Sequence, residues 1–224
     1  MAGMRGTDGD DDQRTRKAGL ILRLRQAGVT DKRVLDAIES TPRELFVPAE
    51  LQPDAYDPDR ALPVDCGQTI SAPVIVGMMT QALDVGDRDR VLEVGTGTGY
   101  QAAVLSQLAR RVYTVDRFRT LVTAAESRFR TLRLNNVTTL TADGMNGWPE
   151  QAPFDRIIVT AAAETVPPAL KKQVRVGGVI VIPVGPADGV QRLLRLERTD
   201  AGFDEKMLAD VRFVPLIPGK AARL

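Results

Sequence analysis

Residues 90–99 read RVLEVGTGTG. The first five form a short apolar run, and glycines follow at once at Gly95, Gly97 and Gly99. Such a run predicts a buried strand. The glycines predict a tight turn whose backbone can approach a ligand closely. Residues 100–108 return to helical spacing, which completes a strand–loop–helix unit. The same alternation continues outward. Residues 74–83 predict a helix before this unit. Residues 111–116, 137–141, 155–160 and 178–184 predict further strands, with helices over 121–132 and 168–174. Strands alternating with helices imply a parallel sheet covered on both faces. Residues 191–197 and 207–214 predict two more strands with no helix between them, best placed as an antiparallel edge. The expected fold is α/β and Rossmann-like, mostly parallel, with helices on both faces.

The part before the sheet is less regular. Residues 1–17 carry Asp10, Asp11 and Asp12, then Arg14, Arg16 and Lys17, and read as a disordered polar tail with no apolar signal core. Residues 18–73 are expected to form a helical subdomain and a loop, and residues 74–224 the sheet domain. Leu20 and Leu24 with the stop at Gly28 predict one helix. Asp31 caps a second, whose Val34, Leu35 and Ile38 share a face. Residues 47–66 are rich in Pro and Asp and read as a long loop. Residues 66–73, CGQTISAP, read as a turn in which Ser71 caps the following helix and Pro73 enters its first turn. The alternative is that they cross a ligand site.

Composition excludes several chemistries. The 224 residues contain no histidine and one cysteine, Cys66. Serine–histidine triads, zinc hydrolase sites built on histidine and multi-cysteine clusters are therefore absent as usually built. No metal site is expected. A net charge of +1 gives no global attraction to nucleic acid or anionic membrane. No apolar run reaches the roughly 18 residues of a membrane helix. A reducing, cytoplasmic location and a monomer are expected.

Open α/β sheets bind ligands at the carboxyl ends of their strands. Three such ends carry suggestive residues here. The first has Glu93 two places before Gly95, then Thr96, Gly97 and Gly99. A dinucleotide fingerprint needs G-x-G-x-x-G, but Tyr100 stands where its last glycine would be, and no Lys-Ser/Thr pair marks a phosphate loop. The second is Asp116, followed by Arg117; a carboxylate there can accept from a ribose diol. The third is Asp143-Gly144, placed to bond an adenine edge. Singly, each has a plain explanation as a turn, a cap or a solvated residue. Together on successive strands they point to S-adenosylmethionine rather than NAD or ATP.

The runs GQTISAP, VLEVGTGTGYQAAVLS, DGMNGWPEQAPFDRIIVTAAA and GGVIVIPVG make the chain resemble the protein-L-isoaspartate O-methyltransferase family across residues 34–218. The resemblance implies methylation of the free carboxylate of L-isoaspartyl residues in damaged proteins and peptides, initiating repair through a succinimide. It implies Ser71 as the catalytic serine. It places the methyl donor against Gln68, Thr69, Ile70 and Ser71, the glycine loop, Asp116 and Asp143-Gly144, and an extended substrate between the GQTIS loop and residues 211–216. Asp116 replaces a Glu common in bacterial members, Ala142 a usual Gly, and Val174 to Gly178 a Leu-Lys-Pro-Gly-Gly turn.

Two rival readings stand beside this one. An RNA or other nucleic-acid methyltransferase on the same fold lacks support from charge. Residues 159–162, VTAA, carry no amino-methylating tetrad, and Cys66 follows Asp65 rather than Pro. A non-catalytic donor-binding adaptor would not need Ser71. Cys66 reads as a small hydrophobe, Trp148 as a packing anchor, and Arg128, Arg130 and Arg133 as a solvated face.

Overall fold

The computed structural model describes residues 7–221. Its centre is a seven-stranded sheet whose order places β3 (Arg90–Val94) between β4 (Arg111–Asp116) and β6 (Phe154–Val159). Outside β4 lies β5 (Val137–Thr141). Beyond β6 come β7 (Val174–Val184), β8 (Gln191–Thr199) and β9 (Gly202–Val211). The pairs from β5 through β7 are parallel, and β7–β8–β9 is antiparallel. The expected Rossmann-like arrangement with an antiparallel edge is thus observed. The chain leaves β3 toward β4 on one side and later returns to its other side as β6. That reversal opens a crevice at the carboxyl end of β3.

The inner strands are apolar on both faces because helices cover both. Val91, Leu92, Ile157 and Ile158 are all fully buried. On one face, α3 (Pro73–Leu83) and α4 (Tyr100–Ser106) pack with α1 (Thr7–Gln26) and α2 (Lys32–Ser40) in one continuous core. That core also holds Phe129 of α5 (Arg119–Thr131). On the other face, Leu170 of α6 (Pro168–Gln173) joins Leu92, Ile157 and Ile180. Trp148 anchors this side edge-on to Tyr113, 5.5 Å between ring centres, as expected.

Several expectations need correction. Residues 7–17 are helical rather than a disordered tail; the Arg16 guanidinium donates to the Pro53 carbonyl at 3.1 Å, and Gln13 bonds to Glu44. Residues 1–6 of that tail lie outside the described residues. The long loop is folded too. It holds a 3-10 turn over Ala49–Asp54 and a small hairpin, β1 (Leu62–Val64) with β2 (Gln68–Ile70). Its strands are too short to show periodicity, and only Leu62, Ile70 and the half-buried Val64 pack on the core. Ser71 does not cap α3: the cap position is Ala72, and no side-chain hydrogen bond closes that end. Asp31 does cap α2, accepting from the Arg33 N–H at 2.8 Å. Arg128 is not merely solvated. It donates to the carbonyls of Leu45 at 2.9 Å and Thr98 at 3.2 Å.

Candidate active site

The crevice at the end of β3 is a cleft with about 930 Å³ of empty space, partly open to solvent. Three layers build it. Its floor is the glycine loop, its side walls the ends of β4 and β6, and its roof the β2 segment with residues 214–217.

The floor depends on glycine at two points. Gly95 has φ 102°, and a Cβ there would stand 2.2 Å from Thr160 Oγ1. Gly99 has φ 90°, and a Cβ would strike the Phe129 ring at 2.7 Å. The loop is therefore pressed against β6 on one side and α5 on the other, while its upper backbone faces the cleft. The Thr160 hydroxyl donates to the Gly95 carbonyl at 2.8 Å and fixes it there.

Asp116 closes β4 and is nearly buried. Its Oδ2 accepts from the Gly97 N–H at 2.8 Å and its Oδ1 from the Phe118 N–H at 3.0 Å. Burial pushes its carboxyl up from the usual range; the backbone N–H groups and the neighbouring Arg117 oppose that shift. One side chain thus joins the glycine loop to the turn after β4 and still borders the cleft.

Beneath the loop, Glu93 is wholly buried and accepts from the Thr114 hydroxyl at 2.5 Å, which itself lies 2.7 Å from the Thr96 hydroxyl. Burial pushes Glu93 up to about 8, and the charge of Asp116 adds to the effect. The Glu93 Oε1 has no partner among the described residues. Glu93 supports the loop from below and does not line the cleft.

Gln68, Thr69, Ile70 and Ser71 all line the cleft, as do Gly95, Thr96, Gly97, Asp116, Arg117 and Gly144. Gly144 is pinned: a Cβ would meet Val94 at 2.6 Å and Leu216 at 3.3 Å. Gly99 and Asp143 do not border the cleft themselves. Asp143 turns its carboxylate to the Met145 N–H at 2.9 Å, capping the 3-10 turn Gly144–Asn146. Cys66 sits in the turn between β1 and β2 with φ 63°. Burial, with the charges of Asp65 and Asp116, pushes its thiol up, the reverse of what an activated nucleophile needs. No cluster of His, Cys, Asp and Glu that could hold a metal ion occurs among the described residues.

Some lining residues were not anticipated. Thr160 follows directly on β6, near where Asp116 closes β4, so the rule about strand ends could have found it. Tyr100, Gln101 and Phe118 also border the cleft. They belong to helix starts, where sequence shows only apolar or amide residues. Arg43 gave no signal at all, yet it is wholly buried behind Ser71.

The family model for protein-L-isoaspartate(D-aspartate) O-methyltransferase (PCMT) matches residues 15–221. The chain belongs to this family. It is 57% identical over 210 residues to the protein-L-isoaspartate O-methyltransferase of Paracoccus denitrificans, covering 94% of this chain and 97% of that one. With the protein of the same name from Ruegeria pomeroyi it shares 59% over 203 residues, 91% and 94% of the two chains. A solved protein-L-isoaspartate O-methyltransferase superposes with a TM-score of 0.80 at 27% identity, over 89% of this chain and 65% of that one. A Plasmodium falciparum structure described as a putative member in complex with S-adenosyl-L-homocysteine has the same fold, with a TM-score of 0.76 at 22% identity over 89% and 97% of the chains. Gln68 to Ser71 of the GQTIS run and the glycine loop, distant in sequence, border the same cleft.

Proposed function

We propose that this protein transfers a methyl group from S-adenosylmethionine to the free carboxylate of L-isoaspartyl residues in damaged proteins and peptides. Family membership and the meeting of Ser71 with the glycine loop in one cleft carry this reading. The cleft fits the donor. Its glycine floor leaves the backbone accessible at Gly97, where a Cβ would meet nothing within 4 Å. Asp116 offers carboxylate oxygens at the wall, and the apolar Val94, Val115 and Leu216 border the same space.

When bound, the donor supplies a methyl group on a positively charged sulfur that is already activated for in-line displacement. The chain therefore has to position rather than activate. An acceptor carboxylate with a pKa near about 4 is ionised at neutral pH. It needs no general base, which suits a chain without histidine. Among the described residues no hydrogen bond engages the Ser71 hydroxyl, while its carbonyl accepts from Arg43. In this reading Ser71 Oγ orients one carboxylate oxygen and leaves the other free to attack. Asp116, beside Arg117, accepts from the ribose. Gly97 and Thr96 follow the donor's backbone-like part, and Gly144 packs by the adenine, with Asp143 shaping that turn. Glu93 acts from below by holding Thr114 and Thr96.

An isoaspartyl residue inserts one methylene into the peptide main chain, and residues 214–217 with the β2 segment would hold the extended peptide on either side. The ester then cyclises to a succinimide with loss of methanol, and hydrolysis returns part of it to normal aspartate. We place this activity in the cytoplasm, in keeping with a lone Cys66, with the chain acting as a monomer away from membranes and nucleic acid; sedimentation of the purified protein tests the oligomeric part. No helix among the described residues is long and apolar enough to cross a membrane. Labelled donor incubated with an isoaspartyl peptide should yield a base-labile methyl ester, while RNA remains unlabelled. Labelled RNA would overturn the assignment.

A further inference from the structure

One buried cation has no part in the reaction as described. Arg43 opens the 3-10 turn Arg43–Phe46 and is fully buried. Its Nε donates to the Ala55 carbonyl at 2.8 Å, and its Nη2 to the Ser71 carbonyl at 2.7 Å. Its guanidinium carbon lies 4.6 Å from the centre of the Tyr100 ring. Tyr100 begins α4 directly after Gly99 and lines the cleft. Phe46 of the same turn packs edge-on against that ring, 5.5 Å between centres. Two residues along from Arg43, Leu45 is held through its carbonyl by Arg128, which also binds the Thr98 carbonyl of the glycine loop.

Arg43 is ion-paired with no carboxylate among the described residues, and burial pushes its pKa down from the usual value; what meets its charge is the Tyr100 ring and the two backbone carbonyls. Burying a charge without a counter-ion is costly, so an apolar side chain would be the ordinary filler here. The Arg43 Nη1 and the Tyr100 hydroxyl are both buried without a well-formed hydrogen bond. This is an expensive arrangement. What it accomplishes is geometric: one rigid planar group spans the backbone of Ser71, the backbone of Ala55 and the first ring after the glycine loop. A lysine, with one small charged head, cannot make both carbonyl contacts and cover the ring.

We propose that Arg43 is a positioning residue for methyl transfer, fixing the Ser71 loop of the acceptor side against the Tyr100 end of the donor loop. The inference rests on the functional reading above, since it assigns Arg43 a role in that same reaction. Ser71 Oγ points where its backbone directs it. A displacement of about 1 Å between reacting groups can cost on the order of 100-fold in rate. Release of the Ser71 carbonyl therefore lowers kcat on peptide and leaves the donor side at Gly97 and Asp116, which Arg43 does not touch, in place.

The test compares the parent with Arg43→Ala and Arg43→Lys. S-adenosylmethionine binding is measured by calorimetry, kcat and KM are measured on an isoaspartyl peptide, and the Arg43→Ala assay is repeated with added methylguanidinium. The expected result is donor affinity close to parental in both variants. We expect kcat lower by about 10- to 100-fold in both variants, with Lys restoring little of what Ala loses, and recovery of Arg43→Ala as methylguanidinium fills the vacated space. Parental kcat in Arg43→Ala overturns the inference, as does full recovery by Lys with none by methylguanidinium, which would make the charge alone sufficient. If Arg43→Ala does not fold, Arg43→Lys decides: reduced kcat with parental donor affinity supports the inference, and parental kcat overturns it. A parent inactive on isoaspartyl peptide would instead remove the functional reading, so the two failures are distinct.

Discussion

Asp116 Oδ2 lies 2.8 Å from the backbone nitrogen of Gly97, so the carboxylate closing β4 holds the middle of the glycine loop that leaves β3. Its other oxygen holds the Phe118 N–H. Each oxygen keeps further acceptor capacity toward the cleft. Asp116→Ala should weaken donor binding by about 1–3 kcal/mol, the cost of leaving polar groups unpaired. Calorimetry with S-adenosylmethionine reads this directly, and an unchanged Kd would reject the ribose contact.

Ser71→Ala should behave in the opposite way. Its backbone contact with Arg43 remains, so the loop keeps its place and donor affinity is retained. Turnover on isoaspartyl peptide should fall about 10- to 1000-fold, the range for losing a positioning or polar-stabilising group. Parental kcat would reduce Ser71 to a loop residue.

Glu93 predicts a pH dependence of stability. In the unfolded chain its carboxyl titrates near 4.5, and in the fold only near about 8. Between these values the unfolded state binds fewer protons, so the contribution of Glu93 is most favourable below 4.5 and is lost as pH rises to about 8. At about 1.4 kcal/mol per unit the loss is on the order of several kcal/mol. Glu93→Gln removes the titration. Denaturant unfolding at about pH 5 and about pH 9 should show a flatter pH profile for the variant than for the parent. Identical slopes would show that Glu93 is ionised within the fold.

Gly99→Ala tests the floor of the cleft. The added methyl would meet the Phe129 ring at 2.7 Å on a backbone with φ 90°. Overpacking of this kind should destabilise the protein by about 1–3 kcal/mol. Pairing it with Phe129→Leu should recover part of that loss. A variant as stable as the parent in thermal unfolding would mean that the loop and α5 are not in contact.

Most of the sheet was legible because its strands are apolar runs that end in glycine or aspartate, as in β3 and β4. The cleft was legible for the same reason: strand ends converge, so Gly95, Asp116 and Gly144 could be placed together before any coordinates. Short or tertiary features were not. The β1–β2 hairpin has only three residues per strand and sends only Leu62, Val64 and Ile70 to the core, too short a stretch for a period of two to stand out in sequence. β7 begins at Val174, before Gly177 and Gly178, which read as a turn in sequence. Residues 13–17 look like polar tail, and their helix is held by contacts to a segment far along the chain. Asp143 and Asp116 look alike as strand-end carboxylates. Only the fold shows that one caps a 3-10 turn without bordering the cleft while the other borders it. Arg43 follows Pro42 in a polar stretch, where an arginine is normally exposed. Its burial comes from the meeting of Ala55, Ser71 and Tyr100, which no local pattern records.

The most direct measurement of the central claim is methyl transfer to two peptides identical but for one linkage, L-isoaspartyl in one and normal L-aspartyl in the other. The cleft should yield methyl ester, followed by methanol and succinimide, on the isoaspartyl peptide and almost none on its twin. Equal labelling of both peptides would contradict the account.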